Sequence, residues 1–247
     1  MTAIVYGVAE ARRLAEEELP RGLDGAKLVA VEHGDLAALL SRVERGAGHA
    51  DAERALAFAD VVDRLHRRMT ILPMRYGCFL PRPEAAKAFL RRHERELGEA
   101  LAALDGCEEV GLRLLLPRRS GRAGRSDAPT GRAYLLARRR FYEEQDRAEQ
   151  TARAWAERAE TALAGGFRES RREHVDRPDG TLLSLSFLVE RSETAAFLEA
   201  CGRFRSELPG EIAAVCTGPF PPYVFVAGLI EPDPARAERE LFERLKG

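Results

Sequence analysis

Apolar positions recur along the chain at two alternating periods. Ile4-Val5-Tyr6-Gly7-Val8 is a short apolar run that predicts a strand. Lys27 to Glu32 alternates Leu28 and Ala30 against Val29 and Val31, which predicts a second strand. Gly34-Asp35 then starts a short helix through Val43. Asp51 is placed to cap a helix reaching Met69, with Ala52, Ala55, Leu56, Ala59, Val62, Leu65 and Met69 at helical spacing. Residues 71–80, Ile-Leu-Pro-Met-Arg-Tyr-Gly-Cys-Phe-Leu, predict a strand, with Pro73 at its start or on an edge because it lacks an N–H. Pro83 suits the first turn of a helix to Leu104, whose inner face is Ala86, Phe89, Leu90, His93, Leu97, Leu101 and Leu104; Gly106 stops it.

From residue 109 the pattern becomes regular. Glu109–Leu116 is a strand, residues 117–130 a Pro/Arg/Gly/Ser loop, and Thr130 caps a long helix to Ala164. The stripe of that helix is Tyr134, Ala137, Phe141, Ala148, Ala152, Trp155, Ala159 and Leu163. Phe167–Val175 and Leu182–Glu190 are strands joined by a Pro178-Asp179-Gly180 turn. Ser192 caps a helix that turns Phe197, Leu198, Cys201, Phe204 and Leu208 inward, and Ile212–Thr217 is a strand. In the strand 182–190, Leu183, Leu185, Phe187 and Val189 face one way, and Ser184 and Ser186 face the other. The order β-α-β-β-α-β is the split, ferredoxin-like one. The expected architecture is therefore α+β with two domains. Residues 1–106 form an N-terminal α+β domain and 107–220 a ferredoxin-like domain. Residues 221–247 form a tail in which Tyr223–Ile230 is a strand, extending the second sheet or returning to the first domain.

Composition narrows the function classes. Hydrophobic residues make up 45% of the 247 and charged residues 32%, the balance of a folded, soluble chain. The net charge of -1 argues against chain-wide attraction to nucleic acid or acidic membranes. No apolar run approaches the roughly 20 residues that span a bilayer, and the N-terminus lacks the pattern of a signal peptide, so the expected location is cytoplasmic. One local imbalance stands out: nine arginines and a single acid, Asp127, lie between Gly111 and Arg140. No aromatics interleave in that loop for base stacking, and Glu143-Glu144 follows at once, so a solvated loop or a protein contact is the better reading.

Catalytic signatures are missing. The chain has no GxxxxGK[ST], GxGxxG, GxSxG or HExxH pattern and no histidine pair at metal spacing. Cys78, Cys107, Cys201 and Cys216 are far apart, without a CxxC, and read as buried free thiols. His33 reads as a loop or cap residue, His49 and His174 as solvated, and His66 and His93 as packed beside helix faces. A Cys78–His66 nucleophile would lack a third orienting group. Acidic runs such as Glu16-Glu17-Glu18 read as solvated faces. No catalytic, metal or cofactor residue is expected.

Two stretches resist so plain an account. Arg75 sits in an apolar strand, where its guanidinium needs a carboxylate, water or a partner. Gly218-Pro219-Phe220-Pro221-Pro222-Tyr223-Val224-Phe225 holds three prolines and three aromatics in eight residues, a rigid segment with good contact anchors.

These stretches carry a resemblance. With Ile4–Val8, the central Leu72-Pro73-Met74-Arg75-Tyr76-Gly77, the segment Gly131–Leu135 before a long helix, and Gly218–Phe225, the chain resembles the GvpL/GvpF family of gas vesicle accessory proteins over about residues 3–228. Phe220 stands where that family often has Trp, and Cys78 follows the central motif. The resemblance implies a two-domain α+β protein that is not an enzyme and that assists gas vesicle assembly. Its implied partners are the very hydrophobic major gas vesicle shell protein and other accessory gas vesicle proteins, with no nucleic acid and no membrane. Arg75, Tyr76, Phe220, Tyr223 and Phe225 are the candidate partner-binding or structural residues. The alternatives from the residues alone are a small-molecule enzyme, or an RNA-binding module with aromatics on its bare sheet face.

Overall fold

The computed structural model describes residues 2–14, 19–44, 52–117, 131–177 and 179–227. Asp51, His49, Thr130, Pro178, the acidic run 16–18 and the end of the tail lie outside them, as do the side chains of Tyr134, Ala137 and Phe141. The chain divides into two compact units, one of Met1–Glu108 with Phe220–Gly247 and one of Glu109–Pro219. Each contains an antiparallel sheet flanked by helices.

The first unit opens with β1 (Thr2–Glu10) and a single helical turn, α1 (Ala11–Leu14). A 3-10 turn at Leu23–Gly25 precedes β2 (Leu28–His33) and β3 (Leu36–Val43). Then come α2 (Ala52–His66), β4 (Ile71–Pro73), β5 (Phe79–Leu80), α3 (Ala85–Arg92) and α4 (Glu94–Ala103). The sheet order is β2-β3-β1-β4, and β5 also pairs with β1.

The expected helix at 35–43 is β3. It follows β2 through the two-residue turn Gly34-Asp35 and pairs with β2 on one side and β1 on the other. Every residue of β3 except Arg42 is buried. A strand covered on both faces needs a nearly continuous apolar run, so the alternation that marks a half-buried strand is absent from Leu-Ala-Ala-Leu-Leu. Ala and Leu also favour helices intrinsically, and sheet pairing overrides that preference here.

The α2 helix lies where the spacing put it, but it is rotated. Phe58, Val61, Val62 and Leu65 are buried, while Leu56 is 72% exposed. These four form their own i, i+3, i+4, i+7 stripe. The larger Phe58 outweighs the alanine stripe, because burying more apolar area stabilises more. The helix expected from Pro83 to Leu104 is broken at His93 into α3 and α4, with Ala86, Leu90, Leu97, Leu101 and Leu104 buried as the pattern required.

The second unit runs β6 (Cys107–Pro117), α5 (Gly131–Ala162), β7 (Glu169–Arg177), β8 (Gly180–Glu190), α6 (Thr194–Ser206) and β9 (Ala213–Phe220). Its sheet order is β7-β8-β6-β9. Val110, Leu112, Leu114 and Leu116 of β6 and Leu183, Leu185, Phe187 and Val189 of β8 form one buried face. Ala152, Ala156, Ala159 and Leu163 from the α5 segment cover it, with Phe197, Cys201 and Phe204 of α6. Phe187 anchors the centre, its ring 4.9 Å from Phe167 and 5.2 Å from Phe197. Ser192 does not cap α6: the helix starts at Thr194, whose hydroxyl donates to Glu190 O at 3.2 Å. The strand expected at 223–230 is instead a short helix, α7 (Tyr223–Val226), as far as the described residues reach. Residues 228–230 lie outside them.

Candidate functional site

The expected strand 71–80 is two strands with an extrusion between them. Gly7 of β1 pairs with Pro73, and Ile4 pairs with Phe79. Two residues of β1, Val5 and Tyr6, therefore face five, Met74 to Cys78. Met74 N–H donates to Tyr6 O at 2.9 Å and Val5 N–H to Cys78 O at 3.0 Å. That leaves Arg75-Tyr76-Gly77 as the three residues outside the ladder. Gly77 has φ +109°, which ends the strand because L side chains rarely adopt that backbone conformation. The puzzle of an arginine in an apolar strand resolves physically: Arg75 is pushed out of the ladder and its side chain is exposed.

Gly7 lets β4 lie close. A Cβ there would meet Ile71 Cδ1 at 2.6 Å and the Leu72 carbonyl oxygen at 2.7 Å. This gives the glycine inside the first predicted strand a steric reason.

Beneath the extrusion runs a chain of rings. Tyr6 is fully buried and is the extra residue where the β1–β3 register slips between Val5 and Gly7. Its ring stacks on Phe58 with centroids 4.9 Å apart. Phe58 meets Tyr76 edge-on at 5.6 Å, and Tyr76 meets Phe79 at 6.2 Å. Tyr6 Oη lies 2.8 Å from Ser41 Oγ and accepts a hydrogen bond from Leu23 N–H at 2.9 Å. Burial pushes the Tyr6 phenol above its ordinary value, with those two hydrogen bonds pulling the other way. The Arg54 guanidinium on α2 donates to Asp24 Oδ2 at 2.7 Å and brings its charge towards the Tyr76 hydroxyl. Tyr76 is thus held by a ring on one side and a cation on another, half-buried beside the exposed Arg75.

The proline-rich stretch reaches the same neighbourhood of the first unit. Pro221 and Pro222 are buried and lead into α7, which lies against β4, the strand that ends in the extrusion. Phe225 and Val226 anchor α7 at 7% and 3% exposure. Tyr223 is half-buried, and Phe220 at the end of β9 is 45% exposed. Of the five residues singled out by sequence, Arg75 and Phe220 are exposed, Tyr76 and Tyr223 are half-buried, and Phe225 serves as an inward anchor. Tyr6, Phe58, Arg54 and Asp24 were not singled out. Phe58 carried a signal, its own apolar stripe, whereas the others act through contacts distant in sequence.

The remaining chemistry is sparse. Among the described residues no group of three or more His, Cys, Asp or Glu is arranged to hold a metal ion. His33 Nε2 lies 3.5 Å from Glu94 and His93 Nδ1 lies 3.7 Å from Glu96, while His66 is buried and His174 exposed. Cys107 and Cys201 are buried free thiols, but Cys78 and Cys216 are half-buried rather than buried. In the basic segment, Arg139 pairs with Glu143 at 2.8 Å and Arg138 donates to the Tyr142 hydroxyl at 3.2 Å; residues 118–130 lie outside the described ones. Opposite the helices, the second sheet presents Arg171, Glu173 and Val175 of β7, Leu182, Ser184 and Ser186 of β8, Gly111, Arg113 and Leu115 of β6, and Val215 and Thr217 of β9. None of these is aromatic, so the stacking platform that an RNA module needs is not formed by them. No helix among the described residues is long and apolar enough to cross a membrane.

The two sheet-and-helix units have the fold of gas vesicle proteins of known structure. The crystal structure of gas vesicle protein GvpF from Microcystis aeruginosa matches with a TM-score of 0.71 at 13% identity, over 91% of this chain and 98% of that one. That of GvpF from Anabaena sp. PCC7120 matches with a TM-score of 0.68 at 14% identity, over 91% and 95%. The family model described as gas vesicle synthesis protein GvpL/GvpF matches residues 3–227. The chain belongs to the GvpL/GvpF family. No curated protein matches it.

Proposed function

We propose that this chain is a non-enzymatic assembly factor for gas vesicles, working in the cytoplasm and in association with the vesicles. It binds the hydrophobic major shell protein and other accessory gas vesicle proteins. It covers apolar shell surface before incorporation, because a subunit with a large exposed apolar patch otherwise associates with its own kind. Family membership supports the gas vesicle role.

The observation that carries the binding surface is the extrusion of Arg75-Tyr76-Gly77 from the β4–β5 strand, with α7 packed on the same β4. Arg and Tyr dominate the energetics of many protein interfaces, since each offers a large flat group that loses little freedom on binding. Here Tyr76 is already oriented by Phe58 and Arg54, so less ordering remains to be done. Tyr223, on α7, extends the same surface in this reading, and the exposed Phe220 is a further anchor. The second unit is the ferredoxin-like domain in this reading, supported by the order β-α-β-β-α-β and the sheet order β7-β8-β6-β9. Residues 1–106 and 107–220 are the two domains, and 221–247 the tail that works with the first.

Gene deletion tests the role. Cells without the chain should fail to build intact, buoyant vesicles, and a plasmid copy should restore them. Buoyant vesicles formed in its absence would exclude an essential assembly role.

A further inference from the structure

The longest helix carries a surface that the assembly reading does not use. The buried residues of α5 begin at Ala152, and among the described residues none before it is buried. About twenty residues precede it in the helix, a length of roughly 30 Å. Charge changes sign along this stretch. Residues 131–140 hold four arginines and no acid; residues 141–150 hold three glutamates, one aspartate and one arginine. At about 100° per residue, Leu135, Arg138, Asp146 and Glu149 fall within roughly 40° of Tyr142, so the five share one face. All five are exposed, Leu135 at 65% and Tyr142 at 48%. Arg138 lies over the Tyr142 ring, 5.7 Å from its centroid, which fixes both side chains on that face. Arg139 and Arg147, on its flank, are engaged with Glu143 at 2.8 and 4.0 Å. The face is palindromic in charge: Arg138 stands one helical turn before Tyr142, and Asp146 one turn after it.

We propose that this face pairs antiparallel with the same face of a second copy of the chain, about a two-fold axis at Tyr142. The axis sets Arg138 of each copy opposite Asp146 of the other. It sets Leu135 opposite the methylene stem of Glu149, and Tyr142 opposite its own counterpart. Each charge contact occurs twice, because a two-fold interface is self-complementary. A parallel pairing would bring like charges together, so the order of charges selects the antiparallel one. The surface that complements this face carries its own charges in reverse order, and a second copy running the other way presents them. Leu135 and the two Tyr142 rings supply apolar contact at the centre, inside the charged pairs. Pairing through α5 uses none of the residues around Arg75 and does not depend on the assembly role.

Sedimentation velocity of the full-length wild-type chain at low and moderate salt tests this. The particle should have twice the mass of one chain, unchanged as micromolar concentration rises. Arg138→Glu and Asp146→Arg should each weaken dimerisation by roughly tenfold or more, since either one sets like charges together at both ends of the interface. The two singly reversed proteins, mixed in equal amounts, should pair with each other, and the doubly reversed chain should dimerise like the wild type. Both positions are exposed, so circular dichroism of the variants should match the wild type. Three results would overturn the proposal: a monomeric wild type, a dimer that withstands either single reversal, or singly reversed proteins with no affinity for each other. A monomeric wild type is also the result if another segment of this chain covers the face.

Discussion

The ring of Tyr6 lies on that of Phe58 with centroids 4.9 Å apart and planes 17° from parallel. Tyr6 is the extra residue of one irregularity in the first sheet, and Phe58 passes its position on to Tyr76 in another. A buried irregularity in β1 and an exposed extrusion after β4 are therefore joined by a single rigid stack. The exposed end is held in place by core residues, and the surface can be perturbed from beneath.

Removing Phe58 tests that connection. Phe58→Ala should lower the unfolding free energy by about 3–5 kcal/mol, the usual loss for a buried phenylalanine, in urea titrations followed by circular dichroism. Tyr6→Phe leaves the stack and removes only the hydroxyl. It strips Leu23 N–H of its acceptor and Ser41 of its partner, and should cost about 1–3 kcal/mol.

Two glycines separate space from backbone conformation. Gly7→Ala pushes a methyl group into Ile71 and the Leu72 carbonyl, and should destabilise by about 1–3 kcal/mol while parting β1 from β4. At Gly77 nothing lies within 4 Å of a new Cβ, so Gly77→Ala meets only the strain of φ +109°, of order 1–3 kcal/mol. Amide exchange distinguishes the two: Gly7→Ala should expose the β1–β4 ladder, whereas Gly77→Ala should leave it protected.

The sheet of the second unit ends in two unlike edges. β7 reads Glu-Ser-Arg-Arg-Glu-His-Val-Asp-Arg and is exposed along nearly its whole length. Charges on an edge strand discourage pairing with another molecule. Arg172→Val combined with Glu173→Val should therefore make the protein self-associate with rising concentration, as read by sedimentation velocity, while the wild type stays unchanged over the same range.

How much of this was legible beforehand follows from how locally each feature is determined. The β-α-β-β-α-β order was readable because β8 alternates Leu183, Leu185, Phe187 and Val189 with serines, and α5 carries an alanine stripe; period alone distinguishes them. β3 was not readable, since a strand buried on both faces loses its period. The extrusion at 75–77 was hidden in an apolar run that looked continuous. Its only trace was Arg75, which did mark the place. α7 was misread as a strand because Tyr-Val-Phe-Val suits either state, and packing on β4 decides it. The contacts of Tyr6 with Leu23 and Ser41, and of Arg54 with Asp24, depend on register and on a 3-10 turn, and neither leaves a local pattern.

In the function proposed above, the surface around the extrusion grips the shell subunit. The affinity of purified full-length protein for detergent-solubilised major shell protein, compared across variants, tests this. Arg75→Ala and Tyr76→Ala should each weaken binding by roughly thirtyfold, the effect of losing an interface anchor of about 2 kcal/mol, while Val175→Ala on β7 should leave it unchanged. Equal affinity for all four proteins, or no association of the wild type at low or moderate salt, would rule out the extrusion as the shell-binding surface.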